Sequence, residues 1–395
     1  MTSTSCNEIA KELLDQCLAG KPPDLLPTPL LSAPCAQALF GIWVEGLADR
    51  FEPALCDTYV RLFAQAVAHR DQTVDARGLA ARYQRIRRVR PATINPRRVF
   101  VLSRVTLGAE VAVTSVLMAA ARRRFPKAEL SLAGPRKNFE LFAGDPGIHH
   151  APVEYLRGSF DERLAAATEL REILGDPDSL VIDPDSRLTQ LGLVPVCADE
   201  RYHLFESRAY GSATERTLPE LAAAWAQETF GVSEAKPFLC LNGPRPQASA
   251  IALSLGVGEN PAKRLAEPFE EKLLALLAAT GHSLAIDMGA GGAEAERVLR
   301  AVARSGVKAR LWEGSFSGFA SIIAGSRLFV GYDSAGQHVA AACGVPLISI
   351  FAGFPSPRMF ARWRPVGAQA TVIRVDQPDP TQTLERVREA LQTYA

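Results

Sequence analysis

The pattern of apolar and polar positions changes character near residue 96. Before it, "SAPCAQALFGIWVEGLADRF" and "EPALCDTYVRLFAQAVAHR" carry apolar residues three and four positions apart, the spacing of amphipathic helices. Pro53 separates the two segments, as expected at a helix boundary. Residues 1–95 are therefore predicted to form a helical extension.

After this point, short apolar runs alternate with amphipathic segments. "VFVLSR", "AELSLAG" and "DSLVID" are typical of strands, and "EVAVTSVLMAAARRRF" and "SFDERLAAATELREIL" are typical of helices. A second series begins near residue 235 and runs from "FLCLNG" and "IALSLG" to "RLFVGY", "AGQHVAAACG" and "PLISIF". Strand, helix and strand in repetition predict a parallel sheet with helices on both faces.

The predicted fold class is therefore α/β, with two tandem doubly wound Rossmann-like domains behind the helical extension. A single core does not grow to 395 residues, so two domains are expected on length alone. We place the first domain at residues 96–232, the second at 233–378 and a C-terminal helix at 379–395. A cleft between two such domains is the default ligand site.

Composition and charge exclude some classes of function. Lys and Arg total 44 against 43 Asp and Glu, a balance that argues against binding nucleic acid through bulk charge. The polar, acid-containing N-terminus is unlike a signal peptide, and the apolar stretch "EVAVTSVLMAAA" is too short to span a membrane. We expect a cytoplasmic protein.

The cysteines and one basic segment add two expectations. Seven cysteines are scattered without a Cys-x-x-Cys pair or a zinc-finger histidine, which predicts buried reduced thiols and no metal site. They are Cys6, Cys17, Cys35, Cys56, Cys197, Cys240 and Cys343. The stretch "ARYQRIRRVRPATINPRR" is either a solvated helix face and linker or a surface that attracts anionic lipid or an acidic acceptor.

The most informative segment is "VGYDSAGQHVAAACGVPLISIF", which begins at residue 330. A helix is predicted to start near Ser334 and to stop at Gly344, so its N-terminal amides and dipole would suit a phosphate. The alternative is that Asp333 or Ser334 only caps the helix. Capping does not explain His338, one turn further on.

Two glycine-rich segments of the second domain support a phosphate site. "LGVGENPAKRL" places a glycine loop before Lys263 and Arg264, which predicts the other half of a diphosphate cradle. "DMGAGGAEAER" does not complete the dinucleotide-binding pattern, because Glu294 stands where the third glycine belongs. Its glycines form either a turn beside a ligand, with Glu294 or Glu296 facing it, or a plain turn.

Acidic residues mark strand ends in the first domain. In "SRVTLGAEVAVTS", Glu110 lies at the mouth of a helix, where it could accept a proton from an attacking hydroxyl or merely complement the helix dipole. In "SLVIDPDSR", Asp183 and Arg187 either line the cleft or form a strand-to-helix turn. His149 and His150 are expected in a surface loop.

Together these segments resemble glycosyltransferase family 9, the heptosyltransferases of lipopolysaccharide core synthesis. The family's second-domain signature is Asp-Thr/Ser-Gly-x-x-His, followed by small residues, Gly-x-Pro and an apolar strand. "DSAGQHVAAACGVPLISIF" is similar at Asp333, Ser334, His338, Gly344 and Pro346. The resemblance covers residues 97–378 and is most specific here.

Other segments share the resemblance with departures from the family pattern. Ala335 replaces the signature's first glycine, and "GVGENPAKRLAEP" keeps the family's Lys-Arg but has Leu265 where the family has Trp. Glu294 in "GAGGAEAER" best matches the residue near the donor nucleoside in the family's Gly-Gly-x-x-Glu turn.

The first-domain motif departs furthest from the family. "LGAEVAVT" resembles the family's Leu-Gly-Asp-x-x-x-Thr, but Ala109 is an extra residue and the acid is Glu110. Thr114 follows four residues later, as the family pattern has it.

The resemblance implies the two-domain GT-B fold and an inverting, metal-independent transfer without a cofactor. The donor would be a nucleotide-sugar, ADP-heptose by family, and the acceptor a hydroxyl on a saccharide or glycolipid of the lipopolysaccharide type. Glu110 would deprotonate the acceptor. The implied donor-binding residues are Lys263, Glu294, Asp333, Ser334, Ala335 and His338, and the acceptor-side residues are Thr114, Asp183 and Arg187.

Two other functions remain open at this level. The altered first-domain motif would also fit a catalytically silent nucleotide-sugar-binding or scaffold protein, in which the helical extension recruits partners. A nucleotide-sugar epimerase shares the fold but offers several acidic and histidine residues at the cleft, and no matching cluster is seen in the sequence. A glycolipid acceptor would bring peripheral contact with the inner membrane surface.

Overall fold

The computed structural model describes residues 3–242, 250–258, 260–289, 291–367 and 369–394. The chain divides into two compact units. The first comprises residues 1–106, 113–139 and 147–236, and the second comprises residues 107–112, 140–146 and 237–395. The short segment that begins with Leu107 therefore belongs with the second unit, although it follows a strand of the first.

Five parallel strands form the sheet of the first unit, in the order β3-β2-β1-β4-β5. They are β1 (Arg98–Leu102), β2 (Glu129–Gly134), β3 (Ile148–Pro152), β4 (Ser179–Asp183) and β5 (Tyr202–Leu204). Helices up to residue 230 are α1 (Ser3–Leu18), α2 (Ala36–Ala38), α3 (Glu45–Ala48), α4 (Pro53–Arg70), α5 (Ala76–Ile86), α6 (Leu107–Ala109), α7 (Ser115–Arg124), α8 (Arg136–Phe139), α9 (Phe160–Ile173) and α10 (Leu218–Phe230).

Six parallel strands form the sheet of the second unit, in the order β11-β10-β9-β6-β7-β8. They are β6 (Ala250–Ser254), β7 (Ser283–Asp287), β8 (Ala309–Trp312), β9 (Leu328–Tyr332), β10 (Leu347–Phe351) and β11 (Ala370–Arg374). The helices are α11 (Phe269–Ala278), α12 (Gly292–Ser305), α13 (Phe316–Ala324), α14 (Ala335–Ala342), α15 (Pro357–Trp363) and α16 (Pro380–Gln392). This is the 3-2-1-4-5-6 strand order of the nucleotide-binding α/β fold. Two doubly wound parallel sheets confirm the predicted fold class.

The N-terminal helices share one hydrophobic core with the first sheet. Phe63 of α4 packs against Phe160 of α9, with ring centroids 5.3 Å apart. The Tyr59 hydroxyl donates a hydrogen bond to the carbonyl of Gln190 at 3.0 Å. Burial of large aromatic side chains is the main favourable term for such packing, so these helices are integral to the first unit.

The basic stretch that ends α5 fastens these helices to the end of the first sheet. Arg82 donates to Asp199 at 2.7 Å, and Glu206 accepts from Arg87 at 2.9 Å and from the Tyr83 hydroxyl at 2.8 Å. Arg82, Tyr83 and Glu206 are buried. Part of this stretch therefore forms contacts inside the first unit. It is neither wholly a solvated helix face nor wholly a surface that attracts anionic lipid or an acidic acceptor.

Two local predictions were wrong. "FLCLNG" was expected to be a strand, but its described residues 238–242 form none, and Cys240 bonds instead to the backbone of Leu141 and Gly144. His149 and His150, expected in a loop, lie in the edge strand β3. The His150 ring stacks on Phe139 with centroids 4.6 Å apart.

The expectation of reduced cysteines was also wrong for one pair. Cys6 in α1 and Cys35 form a disulfide, and both residues are fully buried. Sequence spacing did not reveal the pair because a separation of 29 positions matches no framework motif. Cys17, Cys56, Cys197, Cys240 and Cys343 are free thiols.

We expect reduction of this disulfide to lower the free energy of unfolding by about 2–4 kcal/mol, because the cross-link restricts the unfolded chain. Urea unfolding with and without dithiothreitol measures the difference. A variant with Cys6→Ser and Cys35→Ser serves as the control and should not respond to the reductant. Equal stability of the wild type in both conditions would contradict the expectation.

Within the part of the chain that the structure describes, no helix combines the length and apolarity needed to cross a bilayer.

Candidate functional site

The candidate site lies at the carboxyl edge of the second sheet. In open α/β sheets, ligands bind where the strand order reverses, outside the carboxyl ends of the strands. Here that point lies between β6 and β9, which are neighbours in the sheet. β6 ends at Ser254 before a glycine loop, and β9 leads directly into Asp333 and α14. The segments predicted to hold a diphosphate are thus brought to one edge.

An ion pair between Lys263 and Asp333 is the central feature of this edge. The Lys263 ammonium donates to Asp333 Oδ2 at 2.7 Å and to the Asp333 carbonyl at 3.2 Å. Only 16% of the Lys263 side chain and 6% of the Asp333 side chain are exposed. An ammonium has three donors, so one remains for an anion placed beside this pair.

Gln337 holds the other side of the Asp333 carboxylate. Its amide nitrogen donates to Asp333 Oδ1, and its amide oxygen accepts from the Ser349 hydroxyl of β10 at 2.5 Å. The same amide nitrogen also lies 3.3 Å from the carbonyl of Trp363. Gln337 is fully buried, so the carboxylate has a fixed orientation. The sequence analysis missed Gln337, although its four-residue spacing from Asp333 could have indicated it.

The start of α14 differs from the capping alternative. Ser334 occupies the N-cap position with an extended backbone, yet its hydroxyl makes no capping hydrogen bond. Asp333 Oδ1 bonds to Gln337 and Oδ2 bonds to Lys263. The first turn, which begins at Ala335, therefore has no side-chain cap from Ser334, and its positive dipole end suits an anion. The helix ends at Ala342, and Gly344 has the positive φ of 70° typical of a helix stop.

His338 lies one turn into α14 and is buried. Burial lowers the pKa of His338 to about 4, and the nearby Asp333 only partly opposes this effect. The imidazole is therefore neutral at pH 7, with one donor and one acceptor nitrogen. Within the second unit, a side-chain carbon placed on Gly108 would lie 3.3 Å from the His338 ring and 3.4 Å from the Ala335 Cα. Glycine at 108 thus permits close approach to the start of α14.

Glu294 lies between two glycine loops. Its Oε1 accepts a hydrogen bond from the Val257 backbone at 3.1 Å. A side-chain carbon on Gly289 would come within 2.1 Å of Glu294 Oε2, so the Glu294 side chain would have to move. Gly289 also has a φ of 72°. Glu294 therefore shapes the two loops, and its predicted contact with the nucleoside remains a prediction.

Asp287 also lies at this part of the sheet edge, although no sequence motif pointed to it. It is the last residue of β7 and pairs in register with Ser254 of β6. Its Oδ1 accepts from the Gly289 backbone at 3.2 Å, and the Ser254 hydroxyl lies 3.5 Å from Oδ2. Burial raises the pKa of Asp287, with a smaller contribution from the charge of Glu294.

Glu110 and Thr114 begin and end a π-helical segment between α6 and α7. Such segments interrupt α-helices rarely and often at functional sites. Both side chains are fully buried. The predicted roles of Glu110 as base and of Thr114 on the acceptor side remain predictions.

Asp183 and Arg187 are engaged within the first unit. Asp183 is buried and accepts from the Ser186 backbone at 2.6 Å and from the hydroxyls of Thr189 and Tyr202. Arg187 donates to Glu45 at 3.0 Å. The Asp183 contacts are those of a strand-to-helix turn, one of the two alternatives. Contact of either residue with an acceptor remains a prediction.

Comparisons with solved structures identify the class of fold. A glycosyl transferase family 9 protein from Veillonella parvula is 16% identical, with a TM-score of 0.58 over 75% of this chain and 97% of that chain. The E. coli heptosyltransferase WaaC with ADP is 18% identical, with a TM-score of 0.58 over 75% and 100%. E. coli ADP-heptose lps heptosyltransferase II is 21% identical, with a TM-score of 0.52 over 75% and 100%. The chain thus has the two-domain GT-B fold.

Part of the sequence matches a known family model. Residues 199–392 match the sequence model of glycosyltransferase family 9 (heptosyltransferase). This match confirms the resemblance drawn from the motifs. The match includes Lys263, Glu294 and the Asp333 segment. No curated protein sequence matches the chain significantly.

Proposed function

We propose that the chain is an inverting, metal-independent glycosyltransferase that transfers a sugar from a nucleotide donor to a hydroxyl of a saccharide or glycolipid acceptor. The proposed donor is ADP-heptose, and no further cofactor is required. The observation that carries the proposal is the buried Lys263–Asp333 pair at the start of α14. A cation, a helix N-terminus and a glycine loop at one sheet edge are suited to a diphosphate.

The charged and the neutral donor-site residues would make different contacts with the donor. Lys263 and the first amides of α14, at Ser334 and Ala335, would bind the diphosphate and stabilise the negative charge that it gains on leaving. The neutral His338 would contribute a hydrogen bond, while Asp333 holds Lys263 in place. Glu294 would set the loops near the nucleoside.

The acceptor side of the proposal rests on Glu110. In an inverting transfer, its carboxylate would take the proton of the acceptor hydroxyl as that oxygen attacks the sugar's anomeric carbon and the diphosphate leaves. The acceptor would also be contacted by Thr114, Asp183 and Arg187. We place the reaction in the cytoplasm, at the inner membrane surface if the acceptor is a glycolipid.

Two of the similar structures support the choice of donor. One is described as a heptosyltransferase with ADP, and another as an ADP-heptose heptosyltransferase.

We expect ADP and ADP-sugars to raise the melting temperature of the protein in a thermal-shift panel that also contains GDP-, UDP- and CDP-sugars. Ligands that bind only the folded state stabilise it by mass action. Stabilisation by another nucleotide alone would overturn the ADP assignment. Binding without release of ADP from ADP-heptose, across a range of saccharide acceptors, would instead favour a catalytically silent binding protein.

A further inference from the structure

Arg297 of α12 and Glu270 of α11 form a buried ion pair in the second unit. Only 8% of the Arg297 side chain and 7% of the Glu270 side chain are exposed. One guanidinium nitrogen, Nη1, donates to both carboxylate oxygens of Glu270, with a distance of 2.5 Å to Oε2. Taking two charges out of water offsets much of their mutual attraction, so a buried pair is weak evidence for a stabilising role. Stability alone therefore does not account for this pair.

The second guanidinium nitrogen of Arg297 reaches the glycine loop after β6. Nη2 donates to the carbonyl of Leu255 at 2.8 Å, and Leu255 is the first residue after that strand. Leu255 is fully buried, so leaving its carbonyl without this hydrogen bond would be costly. The bond thus fixes the point at which the loop leaves the sheet.

Arg297 also lies beside Glu294, which shapes the two glycine loops. Arg297 Nη2 is 4.0 Å from Glu294 Oε1, and the two residues are three positions apart on α12. The same carboxylate oxygen accepts the hydrogen bond from the Val257 backbone. The charge of Arg297 therefore favours the position in which Glu294 holds the loop that follows β6.

The carboxylate of the pair faces the segment that carries Lys263. Glu270 Oε1 lies 3.6 Å from Nε of Arg264, the residue after Lys263. One buried pair therefore contacts two segments of the proposed donor site. Arg297 contacts the glycine loop, and Glu270 contacts the segment of the phosphate-binding lysine.

We propose that Arg297 is a positioning residue for the donor, which holds residues 255–258 and Glu294 in the arrangement that binds the nucleotide. The inference rests on the proposed nucleotide-sugar function and adds to it a residue that acts through the protein. Without Arg297, the loop would occupy other arrangements as well. The apparent affinity for the nucleotide would then fall in proportion to the time spent in the binding arrangement.

A pair of substitutions separates this role from a purely structural one. Arg297→Met alone leaves the buried Glu270 carboxylate without its cation, so both the melting temperature and the ADP affinity should fall. Arg297→Met combined with Glu270→Leu replaces the ion pair with apolar side chains, which should restore the melting temperature to near that of the wild type. By isothermal titration calorimetry, ADP should still bind this double variant about 10-fold more weakly than the wild type, because the bond to the Leu255 carbonyl is missing.

Two single variants complete the test. Arg297→Lys keeps a cation beside Glu270 but replaces the planar fork of nitrogens with one ammonium on a shorter side chain. It should fold like the wild type and bind ADP several-fold more weakly. Arg300→Met is the control, because it changes an exposed arginine of the same helix and should match the wild type in both measurements.

Recovery of both the melting temperature and the ADP affinity in the double variant would overturn the inference, because Arg297 would then serve stability only. A folded Arg297→Lys protein that binds ADP like the wild type would also overturn it, and this result decides alone if the double variant stays unstable. If the wild type binds neither ADP nor any nucleotide of the thermal-shift panel, the proposed function fails and this inference fails with it.

Discussion

Replacing Glu110 with Gln is expected to lower kcat for sugar transfer by about 10²- to 10⁴-fold, the usual contribution of a general base. The change keeps the shape of the side chain and removes only its ability to take a proton. Glu110 is proposed to act on the acceptor hydroxyl and not to bind the nucleotide, so the Kd for ADP should change by no more than a few-fold. Steady-state kinetics with ADP-heptose and calorimetry with ADP measure the two quantities.

Glu110→Asp is the matched variant for this prediction. It retains a carboxylate but shortens the side chain by one methylene, so it should be more active than Glu110→Gln while remaining below the wild type. Because Glu110 is fully buried, each variant also needs a melting temperature to show that it folds. Full transferase activity in a folded Glu110→Gln protein would show that the base is another residue.

The parallel sheets could be predicted because their strands are continuous apolar runs. β9 and β10 are buried at every residue, as expected for strands covered on both faces. The same reasoning missed β5, which has only three residues, and the edge strand β3, whose histidines read as a loop. It also gave "FLCLNG" a strand, because an apolar run does not specify whether another strand lies beside it.

The candidate site was predictable to the extent that its residues are local in sequence. Lys263 and Asp333 were each singled out from their own motif, and the sheet topology explains why two segments 70 residues apart meet. Gln337 is held by a hydrogen bond from Ser349, and Glu206 is held by hydrogen bonds from Tyr83 and Arg87. Partners this distant in sequence leave no periodic pattern, and so the sequence could not pair them.

Replacing Lys263 with Ala is expected to weaken ADP binding by about 100-fold or more. The variant loses a charge-assisted hydrogen bond to the phosphate, a contact typically worth about 1.5–3 kcal/mol. It also leaves the buried Asp333 carboxylate without its cation, and this negative charge would repel the phosphate. Calorimetry with ADP measures the loss, and Lys272→Ala, at an exposed lysine of α11, should bind ADP like the wild type.

A double-mutant cycle separates these two effects. Asp333→Asn removes the negative charge that the loss of Lys263 leaves unpaired. The double variant Lys263→Ala, Asp333→Asn should therefore bind ADP more tightly than Lys263→Ala alone. Such recovery requires that the pair and the phosphate share one site, because a distant structural effect of Lys263 would leave the two changes additive. If Lys263→Ala binds ADP like the wild type, the diphosphate does not lie beside α14, and the donor site must be sought at another part of the sheet edge.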